Sequence, residues 1–238
     1  MIKLPSLKEM MEAGAHFGHK KERSYPKARQ YIYVLKDQIY IIDLEKTRDM
    51  LEETLAYISK AVSQGKNILF VGTKRQAQAI VEKIAKEVGS PYINHRWLGG
   101  TLTNFATIRK NLKHLEELED RLKTSDIDQL TKREKARLQE EADKLHIIFD
   151  GIRHLENLPD ILFIVDTAKE RIAVAEAKKM GLAVAGIADT NANPELVDYP
   201  IVANDDALKT IEMILSLVAQ AIKEGQAKQK MTAKANVG

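Results

Sequence analysis

A chain of 238 residues with 44% hydrophobic side chains can bury a substantial core, as one large domain or one domain with an insertion, and is too apolar to be a disordered chain. With no cysteine it carries no disulfide, thiol nucleophile, iron–sulfur cluster or thiolate zinc site, and 5% aromatic residues argue against an aromatic binding platform. The formal charge is only +3, so a polyanion partner has to be sought in where the cations cluster rather than in their sum.

The opening segment MIKLPSLKEMMEAGAHFGHKKER holds no apolar run long enough for a secretory leader. No uninterrupted apolar stretch approaches the roughly 18 residues of a membrane span, so the expected location is the cytoplasm. YIYVLKDQIYIIDL (31–44) reads as two short strands with a turn at Lys36-Asp37, followed by a helix over 45–64. NILFVGT (67–73) reads as a buried strand, and RQAQAIVEKIAKEVG (75–89) as a helix stopped by Gly89. DILFIVDT (160–167), LAVAGIADT (182–190) and YPIVAND (199–205) are further strands, separated by a helix over 168–181 and closed by a long helix over 205–225. Continuous apolar strands alternating with helices predict an α/β fold: a flavodoxin-like or Rossmann-like parallel sheet sandwiched by helices.

Residues 104–152 break the rhythm. Ile108, Leu112, Leu115, Leu118 and Leu122 follow a helical spacing, as do Leu138, Ala142, Leu145, Phe149 and Ile152. Thr131 three residues before Glu134 has the form of a capping box. The expectation is a coiled-coil hairpin inserted at 104–152 into an α/β domain built from 1–103 and 153–225, with 1–30 as an N-terminal extension. A helical layer lying on the sheet is the alternative. Residues 226–238 carry three lysines, no acid and few apolar side chains, and are expected to be a disordered tail.

Candidate chemistry is sparse. FVGTKRQAQAI (70–80) runs from a strand through a glycine to a helix N-terminus, where free N–H groups favour an anion. Neither glycine-rich nucleotide-loop pattern is present, however. The turn reads as a phosphate contact through Lys74 and Arg75, or as a plain cap by Thr73 with both cations solvated. GAHFGH (14–19) sets His16 and His19 three residues apart, and the strand ends offer Asp189, Asp205 and Asp206. Two histidines do not complete a metal site, so these residues read as packing or capping groups, or as ligands if the N-terminal segment crosses the strand ends. No nucleophile–base pattern or paired catalytic carboxylates stand out. An enzyme binding a nucleotide or sugar phosphate at the Gly72 turn, and a receiver-like module using Asp166 or Asp189, are the competing classes.

Local charge says more. Residues 1–36 hold eight Lys or Arg against three acids, no acid occurs from 66 to 81, and none from 88 to 115. Lys20, Lys21, Arg23, Lys27, Arg29, Lys74, Arg75, His95, Arg96, Arg109, Lys110 and Lys113 are therefore the candidate phosphate contacts of an RNA-binding surface. In YINHRWLGGTLTN (92–104), Trp97 reads as core packing or as a base-stacking side chain, and Gly99 and Gly100 as a sharp exit. Thr103 or Asn104 is the expected cap of the next helix.

Taken together and in order, EAGAHFGH, IIDLEKT, ILFVGTKRQA, NHRWLGGTLTN, LPDILFIVD and IADTNANPELVDYPIVANDDA resemble the bacterial 30S small-subunit ribosomal protein S-two family, from about residue 6 to 225. That resemblance implies a non-enzymatic structural constituent of the small ribosomal subunit. It would lie between head and body, bind 16S ribosomal RNA, and help anchor ribosomal protein S-one for translation. It also implies a coiled-coil insertion at 104–152 and one zinc or magnesium ion at His19, Asp189 and Asp205.

Overall fold

A computed structural model of the protein describes residues 2–124 and 131–235. The chain opens with α1 (Leu7–Glu12), started by a capping box between Ser6 and Glu9. β1 (Phe17–Lys20), β2 (Ile32–Lys36) and β3 (Ile39–Ile42) form an antiparallel sheet in the order β1-β3-β2. The turn between β2 and β3 is Asp37-Gln38, both at positive φ (48° and 64°), the twist a two-residue hairpin favours. β1 is not evident in the sequence, because the four residues FGHK carry no alternating pattern. α2 (Leu44–Ser63) follows, its first N–H groups donating to the Asp43 carboxylate.

The second sheet is parallel: β4 (Ile68–Val71), β5 (Tyr92–Ile93), β6 (Ile161–Val165), β7 (Ala183–Ile187) and β8 (Tyr199–Ile201), in the order β5-β4-β6-β7-β8. Counted within this sheet the order is 2-1-3-4-5, the doubly wound flavodoxin-like arrangement with its switch point between β4 and β6. β5 is too short to announce itself by pattern. α3 (Arg75–Val88) ends at Gly89 as expected, and α6 (Arg171–Lys179) links β6 to β7.

Side-chain alternation divides the core in two. Phe70, Phe163, Ala185 and Ile201 face α2, α3 and the last helix, α7 (Leu208–Ala235). Leu69, Val71, Leu162, Ile164 and Val184 face Trp97, Leu102, α6 and two further helices, α4 (Phe105–Lys123) and α5 (Lys132–Phe149). The expected Thr131–Glu134 capping box starts α5. The base of this helical pair is continuous with the sheet domain, since Ile108, Leu112, Leu115 and Phe149 belong to the same apolar cluster as β4 and β6. Residues 125–130, where the expected hairpin turn falls, lie outside the described residues. α7 continues to Ala235, past the expected stop at Gly225. The segment QAKQKMTAKA has no proline or further glycine to end a helix and is rich in good helix formers. The expected disordered tail is thus helical as far as Ala235, and 236–238 lie outside the described residues.

A Cβ on Gly186, in the centre of β7, would lie 2.2 Å from the Ile164 carbonyl oxygen, whereas one on Gly99 would meet nothing within 4 Å. Gly186→Ala is expected to destabilise the chain by about 1–3 kcal/mol through overpacking. Gly99→Ala should stay within about 0.5 kcal/mol of the parent in urea unfolding.

Candidate functional site

The carboxyl ends of β4, β6, β7 and β8 lead into Lys74, Asp166, Asp189 and the pair Asp205-Asp206. The Lys74 ammonium lies 2.5 Å from Asp205 Oδ1, 2.6 Å from Asp206 Oδ1 and 3.2 Å from Asp166 Oδ2. Asp166 is held at φ 67°, an uncommon conformation for a residue with a side chain, and its carboxylate accepts from Lys169 N–H. The N-terminal segment crosses these strand ends. Asn204 N–H donates to Ala15 O, His19 N–H to Thr190 Oγ1 and Tyr25 N–H to Thr190 O. The Thr190 hydroxyl in turn donates to Asp189 Oδ1, while Asp189 Oδ2 lies 3.1 Å from His19 Nδ1. His19, Asp189 and Asp205 are thereby brought together with Asp206, and one ligand atom from each lies within 4.8 Å of the others. His16 is not part of this group; its ring packs on Phe17, 4.0 Å between centroids. The cap of the turn before α7 is Asn204, whose Oδ1 accepts from the N–H groups of Asp206 and Ala207.

Four carboxylates against one ammonium leave the cluster short of positive charge. Burial pushes the Asp205 carboxyl up to about 7, with Asp166 and Asp189 adding to the rise and Lys74 opposing it. Asp189 lifts the His19 imidazole above its ordinary value against the effect of burial. Burial alone would lower Lys74, but Asp205, Asp206 and Asp166 overcome it and hold the amine above the ordinary lysine value. Among the described residues Asp205 Oδ2 and Asn191 Oδ1 are buried with no hydrogen-bond partner.

Three sequence expectations need correction here. Lys74 is not a phosphate contact: its side chain is 14% exposed and its charge is taken up by three aspartates. The anion position before α3 is also taken, because Glu170 Oε1 accepts from both Thr73 N–H (3.1 Å) and Thr73 Oγ1 (2.5 Å). A phosphate approaching the Gly72 turn would meet a carboxylate already bound, which removes the physical basis of the nucleotide-enzyme alternative. Thr73 is not the cap either; Lys74 holds that position and makes no side-chain capping bond.

The loop RWLGGTLT is built around Glu176 of α6. Oε1 accepts from Trp97 Nε1–H and Gly100 N–H, and Oε2 from Leu102 N–H, Thr103 N–H and the Thr103 hydroxyl. Burial would raise this carboxyl, but the N–H groups of Leu102, Thr103 and Gly100 and the Trp97 indole outweigh it and hold Glu176 below the usual carboxylate range. Trp97 is buried in the core, as the packing reading expects. Gly100, at φ 90°, makes the sharp turn; Gly99 is not at positive φ. Neither Thr103 nor Asn104 caps α4 through its side chain. Glu176 sits 73 residues or more from the loop in sequence, so no local pattern signals it.

The other predicted contacts are exposed: Lys20, Lys21, Arg23, Lys27, Arg29, Arg75, His95, Arg96, Arg109, Lys110 and Lys113. Lys27 pairs with Glu195, and Lys113 lies 3.9 Å from Glu117. Arg109, Lys110 and Lys113 share a surface groove with Arg153 and His154, two residues not anticipated from the sequence. On the N-terminal sheet, register places Phe17, Ile41 and Val34 in one cross-strand row beside the row Lys20, Ile39 and Lys36.

A family model described as ribosomal protein S2 matches residues 10–225. The small ribosomal subunit protein uS2 of Helicobacter hepaticus is 45% identical over 225 residues, covering 94% of this chain and 85% of that protein. The uS2 protein of Coprothermobacter proteolyticus is 48% identical over 221 residues (93% and 82%), and that of Dehalococcoides mccartyi strain 195 is 46% identical over 227 residues (95% and 93%).

Glu176→Gln turns an amide toward donors that need an acceptor; it is expected to cost about 3 kcal/mol, a fall of about 6–12 °C in thermal midpoint. Asp205 and His19 both have pKa values raised by folding, so they contribute stability at low pH that is lost as pH rises through the folded values. In chelator the midpoint should therefore fall as pH rises from about 4 to about 7, between the ordinary aspartate value and the folded Asp205 value. Asp205→Asn should flatten that slope; an unchanged slope counts against the assignment.

Proposed function

The chain belongs to the ribosomal protein S2 family, and from that membership we propose that it binds 16S ribosomal RNA and helps anchor ribosomal protein S-one, as a non-catalytic structural constituent of the small ribosomal subunit. The observation that carries the RNA reading is a set of exposed cations without acidic partners. Lys20, Lys21, Arg23, Arg29, Arg75, Arg96, Arg109 and Lys110 make no ion pair among the described residues. Many other lysines do pair, including Lys83, Lys86, Lys178 and Lys223. Solvated cations with no partner of their own are what phosphate neutralisation uses. The helical pair α4 and α5, with the groove holding the unpaired Arg109 and Lys110 at its base, extends that footprint.

The anchoring reading is supported by a different surface. Phe17, Tyr33 and Val34 are 49%, 76% and 46% exposed on the N-terminal sheet. Apolar and aromatic side chains on a sheet face suit a protein partner better than a phosphate backbone. A divalent metal near this sheet is supported by the unpartnered Asp205 Oδ2 and by a donor set of one imidazole and three carboxylates. His19, Asp189, Asp205 and Asp206 would hold zinc or magnesium there, where the ion would supply positive charge and tie the N-terminal segment to the strand ends.

Sedimentation of lysate through sucrose tests the first two points. The chain should migrate with small subunits at low salt and leave them as salt rises. Arg109, Lys110 and Lys113 changed together to Glu should cut occupancy at least about tenfold, since each lost phosphate contact weakens binding. Phe17→Asp with Val34→Asp should leave occupancy intact while removing S-one from the same fractions. A chain that stays at the top of the gradient at every salt concentration would sink the reading.

A further inference from the structure

The aspartates at the strand ends use their oxygens in two directions. Asp205 and Asp206 give their Oδ1 atoms to Lys74. Their Oδ2 atoms do not go to the ammonium: Asp206 Oδ2 lies 3.8 Å from His19 Nε2, and Asp205 Oδ2 is buried with no partner among the described residues. Asp205 is fully buried, so water does not screen the charge it carries. Asp166 and Asp189 add two more carboxylates to the group, and Lys74 is the lysine that pairs with Asp166, Asp205 and Asp206. With all four aspartates ionised and His19 neutral, the group sums to three negative charges, four from Asp166, Asp189, Asp205 and Asp206 less one from Lys74.

We propose that Lys74 is a built-in counter-ion of the candidate metal site, supplying from the opposite side part of the positive charge that a divalent cation brings, so that the chain folds without the metal and binds it more weakly than the bare carboxylates would. The inference rests on the metal reading given above and concerns a residue outside the ligand set. It follows from two physical points. A buried cluster of carboxylates without a cation is strongly destabilising, so something permanent has to offset it in the metal-free chain. A fixed ammonium and a divalent ion that share two carboxylates through different oxygens occupy separate positions, yet they repel each other across a short, poorly screened distance. Lys74 therefore positions Asp205 and Asp206 and lowers the affinity of the site it completes.

The test uses the full-length chain, with zinc chloride as the probe, and compares the parent with Lys74→Met, Lys74→Arg and the double variant Lys74→Met/Asp205→Asn. Thermal midpoints are read in chelator and in excess zinc, and zinc affinity by calorimetric titration. Lys74→Met should lose several degrees in chelator, gain more from zinc than the parent gains, and bind zinc at least about tenfold more tightly, a difference of about 1.4 kcal/mol or more. Lys74→Arg, which keeps the charge, should resemble the parent. The double variant removes one charge of each sign and should recover most of the midpoint lost in chelator, a rescue that mere loss of lysine packing would not allow. If Lys74→Met folds only with zinc, the proposal is supported in its strongest form. If Lys74→Met fails to fold under both conditions, the double variant decides: recovery supports the proposal and failure overturns it. A parent that binds zinc beside a Lys74→Met variant with the same midpoints and the same affinity overturns the counter-ion role alone. A parent that takes up no zinc at all overturns the metal reading, and the proposal with it.

Discussion

Three neighbouring parallel strands end at acidic residues, and one lysine at the end of a fourth lies among them. A flavodoxin-like sheet opens a crevice where the strand order reverses, and in this chain that crevice is filled from within by Lys74 and Asp166, while Glu170 closes the adjoining helix N-terminus. The same charge cluster holds the N-terminal segment in place through His19 and Thr190, and so the small antiparallel sheet rests on the rim of the large one. A fold that elsewhere presents a ligand pocket here has an ionic plug. On the proposed reading, the binding surfaces lie outside it, on exposed cations and an apolar strand face.

A second carboxylate organises the opposite layer. Glu176 gathers an indole, three backbone N–H groups and a hydroxyl, and so gives the loop between β5 and α4 one shape. A buried charge met by this many donors is stabilised where a lone one would be expelled. Trp97 and Leu102 are packed onto the sheet by that loop, and α4 then leaves at a set angle with Ile108, Leu112 and Leu115 against β4 and β6. The orientation of the helical pair is thus tied to a side chain on α6, far along the chain.

Local chemistry made much of this legible in advance. The buried strands β4, β6 and β7 are continuous apolar runs, Gly89 stops α3, and the Thr131–Glu134 pair starts α5. Composition and spacing carry such features because each depends on residues within a few positions of one another. The errors have the opposite character. Lys74 reads as a phosphate ligand because its four nearest neighbours in sequence contain no acid, while its partners lie 92 to 132 positions away. Glu176 looks like an ordinary solvated residue of a charged helix, and nothing local distinguishes it from Glu170 or Lys178. Short elements such as β1 and β5 lack the length over which periodicity can be counted. The motifs were recognisable as strings, but which groups neutralise one another depends on how the sheet brings them together.

The ionic cluster also imposes an order in time. A ribosome making this chain releases His19 and Lys74 well before Asp166, and Asp189, Asp205 and Asp206 come only near the end. Its cationic members are therefore exposed before any of their partners exist, and the strands β6, β7 and β8 arrive after α3 has already left the tunnel. Contacts closing over such separations form late in folding because the loop entropy must be met first. A nascent chain stalled before residue 189 lacks the Asp189 and Thr190 groups that fasten its N-terminal segment to the sheet. Arrival of the strand ends from Asp189 to Asp206 then draws the first and last quarters of the polypeptide together, so that a finished chain differs from an interrupted one at the rim where its two sheets meet.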